Sequence, residues 1–276
     1  MALHSPEAAA PPPYAELVAA WKSLRARDGL SLREVACVGA ERTLLLAEIV
    51  RPGAPTVSLA AGVHGDEPAA PWALYSIVRD GLLDGSFGYR IWACTNPSGY
   101  VLGTRANAEG ADINRSFGRG GQTPESRAIV TATRDRKFAL TLDLHEDYEA
   151  DGFYCYESVL DGSPYLGPAV VQAIDDAALP VQELDDAFEL GYPPDAHHLR
   201  VIERGRVRPD ARAEMAFSGN LPYSMYLLRS HAAPHSLTVE SPSSRPWEER
   251  IALHRIVVTA ALAALRQAQG DTVMSS

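Results

Sequence analysis

Thr56 to Glu67 reads TVSLAAGVHGDE, and this stretch decides the fold. Thr56 to Val63 is short and almost continuously apolar, the pattern of a strand buried on both faces of a helix-covered sheet. It ends abruptly on four polar residues, His64-Gly65-Asp66-Glu67. A helix is predicted next, over Pro68 to Leu83, with Pro at its start, where the missing N–H does no harm. Outward from this unit, Tyr89 to Thr95 and Phe138 to Leu144 read as strands, with a helix from Pro124 to Lys137 between them. Ser236 to Val239 reads as a further buried strand. Trp247 to Gln269 reads as a long final helix with Ile251, Ile256, Val257, Leu262 and Leu265 inward. On the N-terminal side, Tyr14 to Arg27 carries Leu17, Val18, Trp21 and Leu24 at helical spacing. Two strands follow, Leu32 to Val38 and Thr43 to Val50, joined through Gly39 to Arg42 in the manner of a hairpin. Shorter elements are a strand at Gly152 to Tyr156 and helices at Pro168 to Ala178 and Pro222 to Arg229, while Pro180 to Pro209 reads as irregular. Strands alternating with helices imply an α/β fold, a single domain with a mixed, mostly parallel sheet and helices on both faces. Ligands of such sheets bind beyond the carboxyl ends of the strands.

The chain has 276 residues, room for one large domain or a tight pair. One is expected, over residues 14–276, after a flexible Ala/Pro-rich tail at 1–13. Apolar residues make up 46% and charged residues 22%, which argues against disorder for most of the chain. The net charge is −10, and no Lys/Arg run is long enough to track phosphates or dock on an anionic membrane. Nucleic acid and membrane partners are therefore not expected, and nothing sets an oligomeric state. No run approaches the roughly eighteen consecutive apolar residues of a membrane span, and the N-terminus lacks a basic, then apolar, leader pattern. A cytoplasmic location is expected. Cys37, Cys94 and Cys155 are odd in number, lack C-x-x-C spacing and fall in strand-like runs, so they read as buried, reduced thiols.

Three strand ends carry chemically able residues: His64 to Glu67, then His145 after FALTLDL, and Glu240 after SLTV. An H-x-x-E spacing with one further imidazole completes a His₂Glu set with an open fourth position, the arrangement of catalytic zinc. Each residue also has a plainer reading. H-x-x-E suits an ordinary turn, His145 a hydrogen-bonded histidine, and Glu240 either a solvated strand end or a general base.

Between the strands lies a long polar loop, Asn96 to Gly121, of a length that is usually functional or mobile. It carries Asn96-Pro97-Ser98-Gly99-Tyr100, then Arg105, then Asp112-Ile113-Asn114-Arg115-Ser116-Phe117. Taken in order after the H-x-x-E, these motifs resemble the N-P-x-G-Y, Arg and D-x-N-R-x-F signatures of the zinc-dependent metallocarboxypeptidase family. The resemblance runs from Val57 to Glu240. It implies a zinc carboxypeptidase-like fold and a Zn2+ ion held by His64, Glu67 and His145. It further implies Glu240 as general base and acid, Arg105 as oxyanion stabiliser, and Asn114 and Arg115 as the anchor of a substrate carboxylate. Asp112 would accept from the His64 ring and fix its tautomer. The family also has a mobile Tyr before the catalytic Glu; Tyr226 is the candidate, with Tyr223 beside it.

Two branches of the resemblance bear on the substrate. The aspartoacylase and succinylglutamate desuccinylase relatives share the H-x-x-E, the N-R pair and the later His but add a β-rich domain, for which the 36 residues after Glu240 leave no space. The compact bacterial murein-peptide amidases are similar in HGDE and in N-P-x-G followed by Arg. The expected substrate is accordingly a small peptide cleaved beside a carboxylate-bearing residue, with an N-acyl amino acid as the alternative. A catalytically silent binding protein on the same fold is the reading from another class. After His145, the carboxylates Glu146, Asp147, Glu149, Asp151 and Glu157 form a solvated face or a site for a substrate ammonium, with Asp147 and Glu157 its test positions. His197, His198, His231 and His235 are expected at the surface or in packing.

Overall fold

Alternate residues of β3 (Thr56–Ala61) point to opposite faces of the sheet, and both faces are covered. Val57, Leu59 and Ala61 join one apolar cluster and Ala60 joins the other, as a central parallel strand requires. The computed structural model describes residues 11–27, 29–37, 43–118, 121–160, 163–184, 200–209, 220–230 and 232–274. Before β3 come α1 (Tyr14–Ser23), β1 (Leu30–Cys37) and β2 (Thr43–Ile49). After it come α2 (Ala69–Arg79), β4 (Gly88–Trp92), α3 (Pro97–Leu102), α4 (Pro124–Thr133), β5 (Leu140–Asp147), β6 (Tyr154–Val159) and α5 (Gly167–Asp176). The chain continues through β7 (Arg200–Glu203), β8 (Arg206–Pro209), α6 (Tyr223–Arg229), β9 (His235–Pro242) and α7 (Trp247–Met274).

The strands form one sheet in the order β1-β2-β4-β3-β5-β9-β6-β8-β7. Its centre, β4-β3-β5-β9, is parallel. Antiparallel pairings flank it, β2 on β4 and β6 on β9, and the β1/β2 and β7/β8 pairs close the edges. The expected mixed sheet is present, with its main parallel block confined to the middle. One cluster packs α1, α2, α5 and α7 against the sheet through Trp21, Leu74, Ile174 and Val257. The other packs α4 and α6 through Ile129, Val130, Tyr223 and Leu227. This is the helix layer on both faces that the alternating pattern implied.

The structure departs from the sequence expectation in several places: α2 and α4 end four residues early, at Arg79 and Thr133, and Pro97–Leu102 of the expected long loop forms α3. The strand placed at Gly152 to Tyr156 runs over Tyr154–Val159. Part of the stretch read as irregular forms the β7/β8 hairpin, turning at Gly205 in the left-handed region (φ 66). Its strands are dense in Arg and Glu and read poorly as sheet; here Glu203 pairs with both Arg206 and Arg208 at 2.5 and 2.7 Å. On α7 the buried row is Leu253, Val257, Val258, Ala261, Leu262 and Leu265, with Ile251 and Ile256 only half-buried. The helix turns that way because Arg250 and His254 face inward, to Glu146 and Ser241. Trp247–Gly270 has the length and composition of a membrane span, and this buried row accounts for much of its apolar content.

The expected connection at Gly39 to Arg42, residues 1–10 of the expected tail, and His197, His198 and His231 lie outside the described residues. Just before α1, the Pro12 carbonyl accepts from Tyr100 Oη at 2.8 Å. Cys94 and Cys155 are buried and free. Burial pushes the Cys94 thiol up to about 12 and raises that of Cys155 as well. Only the thiolate reacts, so neither is expected to alkylate at pH 8 until the protein is denatured. Peptide mapping of native and denatured samples checks this, and rapid native labelling of either would contradict the packing described.

Candidate metal centre

His64 and Glu67 sit on the turn that leaves β3, and this turn is held by contact with a second turn. The Gly65 amide donates to the Thr104 carbonyl at 3.0 Å. A Cβ at Gly65 would lie 1.8 Å from the Gly99 carbonyl carbon, so only glycine fits. β5 brings His145 alongside. One ligand atom from each of His64, Glu67 and His145 lies within 4.8 Å of the others, and all three residues are buried. The Glu67 carboxylate bridges the rings: Oε1 contacts His64 Nδ1, and Oε2 is 3.0 Å from His145 Nδ1. Burial alone would raise the Glu67 carboxyl, but the two imidazoles outweigh it and hold it well below the usual carboxylate range.

Behind each ring stands a second carboxylate. His64 Nε2 is 3.5 Å from Asp112 Oδ1, and His145 Nε2 is 3.4 Å from Asp143 Oδ2. Both Nε2 atoms, Glu67 Oε2 and both Asp143 oxygens are buried without a hydrogen bond among the described residues. Buried imidazoles backed by carboxylates and converging on a third carboxylate fit a divalent cation of the zinc type. Asp143 is absent from the sequence reading. Its signal was there, since it lies two residues before His145 and alternation puts both on one face of β5. Asp143→Asn is expected to weaken metal affinity by about 10- to 100-fold. Competition with a chelator measures it, and unchanged affinity would remove Asp143 from the site.

Glu240 is the register partner of His145 across β5/β9 and of Tyr154 across β6/β9. It is half-buried. Burial pushes its carboxyl well above the ordinary range; His145 opposes this, while Glu67, Asp147 and Asp143 add to it. Such a carboxyl suits a group that takes up and gives back a proton.

The long loop supplies the opposite wall. Asn96 caps α3 by accepting from the Gly99 amide at 2.8 Å, and its amide donates to the Arg105 carbonyl at 3.1 Å. The NPSGY turn thereby fixes where Arg105 leaves the backbone. Asp112 ties three parts together: it meets Arg105 Nε at 3.2 Å, accepts from the Asn114 amide at 2.9 Å and backs His64. Asn114 Oδ1 accepts from the Tyr223 amide at 3.3 Å, and Arg115 donates to the Asn114 carbonyl at 3.0 Å.

A cleft of about 620 Å3 opens over these groups. Every site residue named from the sequence lines it except Asp112, which stands behind His64, and Tyr226. Tyr226 is not among the lining residues; its ring stacks on Phe117, with centroids 6.5 Å apart. Tyr223 is buried, its hydroxyl bonded to Ser58 and to Trp92 Nε1 at 2.9 and 3.2 Å. The cleft tyrosines are instead Tyr148, Tyr154 and Tyr156.

The acidic cluster divides in the same way. Asp147 and Glu149 line the cleft, where Asp147 accepts from Tyr154 Oη at 2.6 Å. Glu146 is buried, accepting from the Ala69 amide at the start of α2 at 2.6 Å and pairing with Arg250. Glu157 faces away, where it accepts from the Gly167 amide and from Arg206, both at 3.0 Å. It caps α5, so it is no test position for a substrate ammonium. His235 is packed inside, where burial lowers its imidazole.

No protein-family model matches the chain. A 111-residue stretch is 33% identical to murein peptide amidase A of Escherichia coli K12, covering 34% of this chain and 46% of that protein. The match thus spans about half the length of this curated relative. A metallo-carboxypeptidase from Burkholderia cenocepacia superposes with a TM-score of 0.69 over 93% of this chain and 70% of its own, at 18% identity. Carboxypeptidase A from Helicoverpa armigera superposes at 0.63 over 94% and 75%, at 19% identity. The fold is therefore that of the metallo-carboxypeptidases.

Proposed function

We propose that this cleft is the active site of a zinc-dependent, metallocarboxypeptidase-like hydrolase that cleaves the amide bond beside a carboxylate-bearing residue of a small peptide. The observation that carries the reading is the placing of Glu240 in register beside His145, so that one cleft joins a His₂Glu set, a proton-accepting carboxylate and two arginines. The murein peptide amidase likeness supports a peptide substrate. Zinc held by His64, Glu67 and His145 would supply a Lewis acid and lower the pKa of water. Glu240 takes a proton from the attacking water and returns it to the departing amine nitrogen. Arg105, steadied by Asp112, neutralises the oxyanion that forms on the scissile carbonyl. The Arg115 guanidinium, with the Asn114 amide, takes the substrate carboxylate in its planar fork.

The test compares small peptides with a free terminal carboxylate and the same peptides amidated, using zinc-loaded protein. Amidation is expected to lower kcat/KM by at least about 100-fold, the loss of a charge-assisted pair and of orientation. Equal turnover of both forms would overturn the carboxylate anchor, and no turnover of either would overturn the activity.

A further inference from the structure

β9 and β6 run side by side on the cleft floor, and their register sets three facing pairs: Glu240 with Tyr154, Thr238 with Tyr156, and Ser236 with Ser158. All six residues line the cleft. The residues between them, Leu237, Val239 and Cys155, lie in the core on the opposite face. Past Glu240 the floor is therefore a ladder of hydroxyls, and among the described residues the two strands place no charge on it. Ser224 of α6 adds another, accepting from Thr238 Oγ1 at 3.0 Å. The last rung is distinctive. Ser158 and Ser236 are 7% and 3% exposed, and both line the cleft. A group that covers these two hydroxyls must replace their contact with water by hydrogen bonds of its own, since buried hydroxyls in native proteins are nearly always paired. Two residues of strand span about 7 Å, which puts the Thr238 rung roughly 7 Å and the serine rung roughly 13 Å from Glu240.

We infer that this floor selects the side chain of the carboxylate-bearing residue, and that it takes a long, uncharged side chain ending in both hydrogen-bond donors and acceptors. The inference rests on the proposed hydrolase reading, which places that residue's carboxylate on Arg115. The methylene stem passes Met225, and the polar head meets hydroxyls that donate or accept as needed. An apolar side chain would leave Ser158 and Ser236 buried and unpaired. A cationic one would surrender its hydration to the part of the floor past Glu240, where the described residues of the two strands offer no counter-charge.

Direct binding tests this without turnover. N-acetyl-L-citrulline, N-acetyl-L-arginine and N-acetyl-L-norleucine all carry the carboxylate and differ in the side-chain end; each is titrated calorimetrically into the zinc-loaded Glu240→Gln protein. Citrulline is expected to bind at least tenfold more tightly than either of the others. Adding Ser236→Ala and Thr238→Val should bring the citrulline-to-norleucine ratio close to one with norleucine affinity kept, while Thr238→Ser preserves the preference. Norleucine or arginine binding as well as citrulline, or a ratio that survives loss of the hydroxyls, overturns the inference and leaves the hydrolase reading intact. Binding of none of the three overturns the carboxylate anchor and the inference with it.

Discussion

Glu240→Gln lowers kcat/KM on a carboxylate-terminated peptide by about a thousandfold, within the range typical of a lost general base, and leaves one zinc per chain. The two effects separate because Glu240 lies outside the three-residue ligand set, one strand away on β9. Gln keeps the shape and hydrogen-bonding reach of the side chain but has no affinity for the proton of the attacking water. The surrounding burial and carboxylates that raise the Glu240 carboxyl have no grip on an amide, so the variant should also lose the ionisation assigned to this group in the pH–rate profile. Metal analysis alongside steady-state kinetics decides it. Loss of zinc together with activity would make Glu240 a ligand, and unchanged turnover would remove it from the chemistry.

The largest expected effect on stability lies behind the centre. Arg250→Leu should cost about 3–5 kcal/mol, because it leaves the Glu146 carboxyl buried without its cation. Glu146 is buried, and burial already pushes its carboxyl up to about 7 against the pull of Arg250. Its other oxygen caps α2 at the Ala69 amide, two residues after Glu67, so the loss also loosens the segment that carries Glu67. Denaturant unfolding of the single variant and of Arg250→Leu with Glu146→Gln measures this. The double variant should recover most of the loss, since an amide tolerates burial better than an unpaired carboxylate. A single variant within about 1 kcal/mol of the parent would mean that water reaches Glu146.

The centre of the fold was legible because its signal is local. The apolar run Thr56 to Val63 and the polar residues that end it give both a two-sided strand and the place of the ligands, and the motif order placed Arg105, Asn114 and Arg115 on the facing wall. What escaped depends on partners distant in sequence. Tyr226 and the cleft tyrosines differ only in which face of an element they occupy, and α6 gave no period long enough to orient itself. Glu146, Asp147 and Glu157 look alike as a run of acids, yet Arg250, Tyr154 and Arg206 send them to three different surroundings. The alternation of Ser236, Thr238 and Glu240 was readable as a period of two, but the apolar residues between them drew the eye to burial.

The contact between Gly65 and Gly99 bears on how this protein can change. Because no atom separates the two backbones, the turn carrying His64 and Glu67 cannot shift without moving the turn that launches Arg105. Alanine at Gly65 would drive its Cβ into the Gly99 backbone, and alanine at Gly99 would strike the Asn96 side chain that holds the same turn. Variants selected for new substrates should therefore leave this junction untouched and accumulate on the floor strands and outer rim, where side chains can be exchanged one at a time. The molecule is in effect divided into a fixed reaction chamber and an adjustable antechamber.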